Sequence, residues 1–218
     1  MPRTLLTFGD SNTHGAPPVV ERGVTARYGR GVRWPTVTHA ALGAEWDLVE
    51  EGLGGRTAQF EDPVMGPIMD ARPALRIALQ SHGPLDVMTL MLGTNDVKTR
   101  FGATAEGVTA GIAALLDVAL GIEMQTRHGG FQVLLICPPP VLEQGPLRAE
   151  FFGARAKSLA LPALYRALAE THGCGFLDAG EIIEVSPLDG IHYDEAAHAT
   201  LGAAVAEKVR AMTDGPAR

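Results

Sequence analysis

Short, uninterrupted apolar runs alternate along the chain with longer stretches in which apolar residues recur every three or four positions. The runs are Thr4–Phe8, Trp46–Glu50, Val87–Leu92, Val133–Cys137 and, more weakly, Gly175–Leu177. None alternates apolar with polar residues, as expected of strands covered on both faces. Between them the pattern predicts helices over Pro35–Leu42, Pro73–Gln80, Ala105–Gln125 and Ala154–Thr171. A last helix follows Asp194, a suitable N-cap, and repeats Leu201, Val205 and Val209 on one face. Gly107, Gly111 and Gly121 interrupt the Ala105–Gln125 segment and leave its ends the least defined.

Strand followed by helix, five times over, predicts a five-stranded parallel sheet between two helical layers, a three-layer α/β/α sandwich. In such folds the loops at the carboxyl ends of the strands hold the ligand. A single domain is expected over residues 1–212, with a short frayed tail over 213–218. Two irregular stretches rich in proline and glycine, Gly54–Ala71 and Pro138–Gly153, are long enough to line a site or an interface. Their apolar content also suggests packing against a neighbouring subunit, hence a homo-oligomer.

Composition narrows the function classes. The formal net charge of -7 is not offset by a basic stripe, so no nucleic-acid partner is expected. Arg27, Arg30 and Arg33 are interleaved with glycine and read as loop residues rather than a polyanion site. Leu5-Leu6-Thr7-Phe8 is too short for the apolar core of a signal peptide, and no stretch reaches the roughly 20 apolar residues of a membrane span. Cys137 and Cys174 form no C-x-x-C pair and read as buried free thiols. Together these features point to a cytoplasmic protein without a membrane partner.

The candidate chemistry sits at three places. The first strand runs into Gly9-Asp10-Ser11-Asn12-Thr13-His14-Gly15, which puts a serine at the carboxyl edge of the sheet ahead of a helix N-terminus. Asp-Ser before a helix is also an ordinary cap. The third strand runs into Gly93-Thr94-Asn95-Asp96, where the Asn95 amide is placed to donate to a developing negative charge, although Asn-Asp suits a turn equally. Asp189-Gly190-Ile191-His192 precedes the last helix, and a carboxylate three residues from an imidazole can accept its Nδ1–H and leave Nε2 free to take a proton from a serine. In a chain of this length, average composition gives about 0.3 chance matches to D-x-x-H, about 0.05 to G-D-S-x-x-x-G and about 0.03 to G-x-N-D. Their conjunction, at one predicted edge of the sheet, carries what no single motif does.

Gly9-Asp10-Ser11, Gly55, Gly93-Thr94-Asn95-Asp96 and Asp189-x-x-His192 resemble the four motif blocks of SGNH, or GDSL-type, hydrolases, which share a flavodoxin-like fold. Phe8, Val32-Arg33-Trp34 and Glu50-Glu51-Gly52-Leu53 extend the resemblance to bacterial arylesterases and acyltransferases. The resemblance implies a triad of Ser11, His192 and Asp189. The implied oxyanion donors are the Ser11 and Gly55 backbone N–H groups and the Asn95 side chain, with Gly54 able to exchange with Gly55 by a one-residue shift. Asp10, Gly54, Thr94 and Ile191 are the expected substrate neighbours, and Met65, Ile68, Met69, Phe151 and Phe152 the expected apolar walls. His14, Ala16 and Pro17 stand where some acyltransferase relatives carry tryptophans. The expected activity is hydrolysis of small aryl or short-chain acyl esters through an acyl-enzyme, with acyl transfer to alcohols. A thioesterase, a lysophospholipase and a carbohydrate deacetylase are the alternatives within the family.

Other classes fit less well. A nucleotide-binding domain needs G-x-G-x-x-G after the first strand, and Gly52-x-Gly54 follows the wrong strand and lacks the third glycine. A metallohydrolase needs clustered ligands, whereas His192 and His198 are six apart and His39, His82, His128 and His172 are isolated. No metal and no cofactor are therefore expected.

Overall fold

The structure of the protein, a computed structural model, describes residues 2–214. Its strands are β1 (Arg3–Gly9), β2 (Trp46–Gly52), β3 (Val87–Met91), β4 (Gln132–Cys137) and β5 (Gly175–Asp178). All pair in parallel, in the order β2-β1-β3-β4-β5. The winding direction reverses between β1 and β3, which opens a crevice beyond their carboxyl ends. The helices are α1 (Ser11–His14), α2 (Trp34–Leu42), α3 (Ala71–Ser81), α4 (Ala105–Leu120), α5 (Ile122–His128), α6 (Ala154–His172) and α7 (Glu195–Thr213).

The continuous apolar runs have a direct structural cause. Successive strand residues point to opposite faces of the sheet, and both faces are covered. Leu6, Phe8, Met88, Leu90 and Leu135 enter one core with Leu75, Leu79, Leu115 and Leu161 of α3, α4 and α6. Their neighbours Leu5, Val87, Met91, Leu134 and Ile136 enter a second core with Trp34 of α2 and Leu201, Val205 and Val209 of α7. This is the predicted three-layer sandwich, with every strand within two residues of its predicted ends.

Four expectations change. The strands β2 and β5 lie at the sheet edges, and beyond Trp46 the residues of β2 are only half-buried or exposed, so that strand is not covered on both faces. The Ala105–Gln125 segment is two helices rather than one, bent by 47° at the break. Gly121 leaves the helical region there, with φ -61 and ψ 147, and ends α4. Thr213, placed in the expected tail, instead closes α7, its Oγ1 donating to the Val209 carbonyl at 3.0 Å. Residues 215–218 of that tail lie outside the described residues. Both cysteines are free as expected, but Cys174 is only half-buried. Among the described residues no single helix is long and apolar enough to cross a membrane.

The arginine cluster serves the loop that joins α1 to α2. Arg33 Nε and Nη2 grip Glu50 of β2 at 2.5 and 2.6 Å, and Arg27 Nε donates to the His14 carbonyl at 2.8 Å. These ties hold a long irregular segment across the edge strand, beside the carboxyl ends of the sheet.

Candidate active site

Three adjacent strands end in register. Gly9 of β1 lies opposite Gly52 of β2 and Met91 of β3. The segments that follow, Asp10-Ser11, Leu53-Gly54-Gly55 and Gly93-Thr94-Asn95, therefore emerge side by side at one edge. Asp10 caps α1, its Oδ1 accepting the Asn12 N–H at 2.9 Å, and this turn presents Ser11.

Ser11 Oγ lies 3.0 Å from His192 Nε2, and His192 Nδ1 lies 2.5 Å from Asp189 Oδ2. The ionised carboxylate only accepts, so Nδ1 carries the proton and Nε2 is left as the acceptor for the serine hydroxyl. Asp189 is fixed from several sides. Its Oδ1 accepts the N–H groups of Ile191 and His192, each at 2.9 Å, and its Oδ2 also accepts the Val19 N–H at 2.7 Å. Gly190 supplies the left-handed turn with φ 75, and any side chain there would meet the Leu142 carbonyl, 2.0 Å from the position of a Cβ. Burial pushes the Asp189 carboxyl up, but the bonds from His192 and the backbone N–H groups outweigh it and hold it below the usual carboxylate range.

Beside the serine, the N–H groups of Gly54 and Gly55 have no hydrogen-bond partner among the described residues. Gly55 adopts φ 87, and a Cβ on it would strike Met65 Sδ at 2.6 Å. Asn95 Nδ2 donates to the Arg56 carbonyl at 3.0 Å, which orients the amide and leaves its second hydrogen available. The Arg56 guanidinium sits 4.3 Å from the Phe8 ring and donates from Nη1 to the carbonyls of Gly9, at 3.0 Å, and Glu51. It thus ties together the ends of β1 and β2. Asp96 Oδ1 accepts the Ala58 N–H at 2.8 Å and pins the glycine loop to the end of β3. Burial drives the Asp10 carboxyl up to about 6 and the Asp96 carboxyl up to about 7.

These groups open onto a cavity of about 340 Å³ lined by Ser11, Gly54, Gly55, Asn95, Ile191 and His192, and walled by Met65, Leu147 and Phe151. Gly54 and Ile191, two of the expected substrate neighbours, line this cavity. Asp10 and Thr94 do not line the cavity: both are buried behind it, Asp10 turned back as the cap of α1. Met65 and Phe151 are walls as predicted, whereas Ile68 and Phe152 face solvent and Met69 is buried beneath Gly55. The sequence reading missed the loop between α1 and α2, which contributes Val19, Arg22, Val24 and Thr25, and also missed Lys98. The length of that loop and its Pro17-Pro18 step were the available signal. Among the described residues no group of three or more histidine, cysteine, aspartate or glutamate side chains could hold a metal ion.

A parallel α/β/α sheet with a hydroxyl–imidazole–carboxylate chain and unpaired N–H donors at its crevice defines a hydrolase. Residues 7–200 match the GDSL-like lipase/acylhydrolase family, and the chain belongs to that family. Among solved structures it is similar to the aryl esterase of M. smegmatis, with 36% identity over 96% of this chain and 99% of that one, at a TM-score of 0.90. It is equally similar to Est24, a carbohydrate acetylesterase from Sinorhizobium meliloti, with 36% identity, the same coverage and a TM-score of 0.90. A carbohydrate acetylesterase family member from Sinorhizobium meliloti shares 32% identity over 98% of this chain and all of that one, at a TM-score of 0.86. No curated protein matches the sequence significantly.

Proposed function

We propose that the protein is a serine esterase acting on small carboxylic esters, aryl and short-chain acyl, through a Ser11–His192–Asp189 triad. The observation that carries this reading is the unbroken chain from Ser11 Oγ to His192, at 3.0 Å, and on to Asp189, at 2.5 Å, inside a cavity that also holds three candidate oxyanion donors. His192 Nε2 takes the serine proton as Oγ attacks the ester carbonyl. The new C–O bond converts the carbonyl to a tetrahedral oxyanion, which accepts hydrogen bonds from the Ser11 and Gly55 N–H groups and the Asn95 amide. Collapse breaks the bond to the alcohol, which leaves with the proton held by His192. Water then attacks the acyl-enzyme by the same route. Asp189 keeps the imidazole in the right tautomer and stabilises the imidazolium in both halves.

An alcohol seated in the cavity would take the place of water and give acyl transfer. The partly apolar walls, Met65, Leu147 and Phe151, support that second outcome. The similarity to carbohydrate acetylesterases supports acetylated sugars as a further substrate class. Val64, Ile68 and Phe152 leave an exposed apolar rim on the two long loops, which supports the expected packing against a second copy; sedimentation checks the oligomer. A fluorophosphonate probe followed by peptide mass spectrometry tests the central claim. Labelling of Ser11 together with turnover of p-nitrophenyl acetate is expected. An unlabelled Ser11 in a folded protein would remove the reading.

A further inference from the structure

We propose that Lys98 anchors a carboxylate carried by the ester substrate, so that the cavity selects esters with an acidic group beside the scissile bond. The inference rests on the esterase reading above and names its substrate class. Lys98 follows the Asn95 turn, its N–H donating to the Asn95 carbonyl at 3.2 Å, and it lines the same cavity as Ser11 and His192. Its side chain is only 6% exposed. An ammonium has three donors, and among the described residues none of them makes a hydrogen bond. The nearest carboxylate oxygen, Glu150 Oε2, is 3.9 Å away, and the Phe151 ring centroid is 5.6 Å away.

Glu150 is already committed. Arg100 Nη2 donates to its Oε2 and Arg22 Nη2 to its Oε1. Asp62, the other carboxylate of the group, accepts the N–H groups of Val64 and Met65 and is gripped by Arg100 at 3.0 Å. Three cations, Arg22, Lys98 and Arg100, thus share two carboxylates, and the one left without a bond faces the cavity. Asp189 is spent on His192, and Asp10 lies behind the serine rather than in the cavity. Burial pulls the Lys98 ammonium down from its ordinary range, with the charge of Glu150 opposing it. A charge this far buried, reaching solvent only through the cavity, is poorly solvated, so a ligand that bonds it there gains more than it would in open water. A carboxylate supplies the missing acceptor and balances the excess charge together, which a neutral substrate does not.

The test compares matched ester pairs that differ only in that group. Monomethyl succinate against methyl isocaproate, in which an isopropyl group replaces the carboxylate, reads the acyl side. The pair m-acetoxybenzoate and m-isopropylphenyl acetate reads the alcohol side. In Lys98→Met the ratio of kcat/KM for the acidic over the neutral ester is expected to fall by about tenfold or more in at least one pair, chiefly through KM. Lys98→Arg, which keeps the charge, should retain most of the ratio. Lys98→Gln repeats the comparison in a polar, uncharged side chain if the methionine variant does not fold. An unchanged ratio in both pairs, or an equal loss on both members, overturns the inference. Calorimetric binding of m-acetoxybenzoate to Ser11→Ala, with and without Lys98→Met, reads the anchor without turnover. A wild-type protein that hydrolyses none of the four esters defeats the esterase reading. Binding unaffected by Lys98→Met defeats the anchor.

Discussion

The Asn12 side-chain amide donates to the Ile191 carbonyl at 3.2 Å, joining the residue after the serine to the residue before the histidine across 179 positions of sequence. Because this bond ties the turn of Ser11 to the loop of His192, the proposed nucleophile and base, Asn12→Ala should act on the chemical step. A fall in kcat of roughly five- to thirtyfold is expected from the loss of one buried hydrogen bond, with KM within about twofold. Steady-state kinetics on p-nitrophenyl acetate decide it. A change confined to KM would mean that the bond shapes the cavity instead.

Ser11→Ala should bring ester turnover down to background while the thermal melt is retained. Among the described residues the hydroxyl bonds only to His192, so removing it takes away the proposed nucleophile and little else. Turnover well above background in that variant would assign the attack to another group.

Asn95→Ala should lower kcat by roughly 10²–10³-fold, the usual loss of an oxyanion donor. The bond from Asn95 to the Arg56 carbonyl is lost as well, so a small drop in melting temperature should accompany it. An effect on melting without one on kcat would leave Asn95 a structural residue only.

The buried Asp96 gives a pH signature. Its carboxyl is raised to about 7 in the folded chain against an ordinary 3.8, so the folded state holds this proton more tightly than the unfolded state does. Its contribution to stability is therefore fully present below about 4, is lost as the pH rises through about 7, and stays lost above that. The Asp96→Asn variant carries an amide there and has no proton to lose. The difference in melting temperature, variant minus wild type, should move in favour of the variant between pH 5 and pH 8. A difference independent of pH would show that Asp96 ionises in the ordinary range.

Acyl transfer can be read directly. With vinyl acetate and benzyl alcohol, benzyl acetate should form in excess of the bulk ratio of alcohol to water, because the cavity raises the local concentration of an apolar alcohol. Chromatography of benzyl acetate and acetate gives the ratio. A product ratio no higher than the bulk ratio would show that the cavity gives the alcohol no advantage over water.

Most of the fold was legible because the central strands are apolar on both faces, and a short continuous run such as Val133–Cys137 admits few other readings. The edge position of β2 was not legible, since Trp46 and Val49 resemble core residues until the neighbouring strand is missing on one side. Ser11, Asn95, Asp189 and His192 could be singled out because their short motifs fall together at one predicted edge of the sheet, and the family resemblance supplied their expected roles. Arg56 and Lys98 carry no such signal. Their roles come from carbonyls and carboxylates contributed by Gly9, Glu51 and Glu150, which only the tertiary structure brings within reach. Asp10 was the opposite case: its place in the motif suggested the substrate, while its carboxylate is used locally on the Asn12 N–H.

The proposed nucleophile and base lie 181 positions apart in sequence, Ser11 in the first turn after β1 and His192 just before α7, yet their atoms are 3.0 Å apart. During synthesis the serine is made before all of β2 to β5, and the histidine only after them. A nascent chain can therefore assemble much of the sheet and still be inert toward the esters around it. On the proposed triad, onset of turnover would mark the docking of the Asp189–His192 loop onto the finished sheet, which would make catalysis itself a clock for that stage of folding.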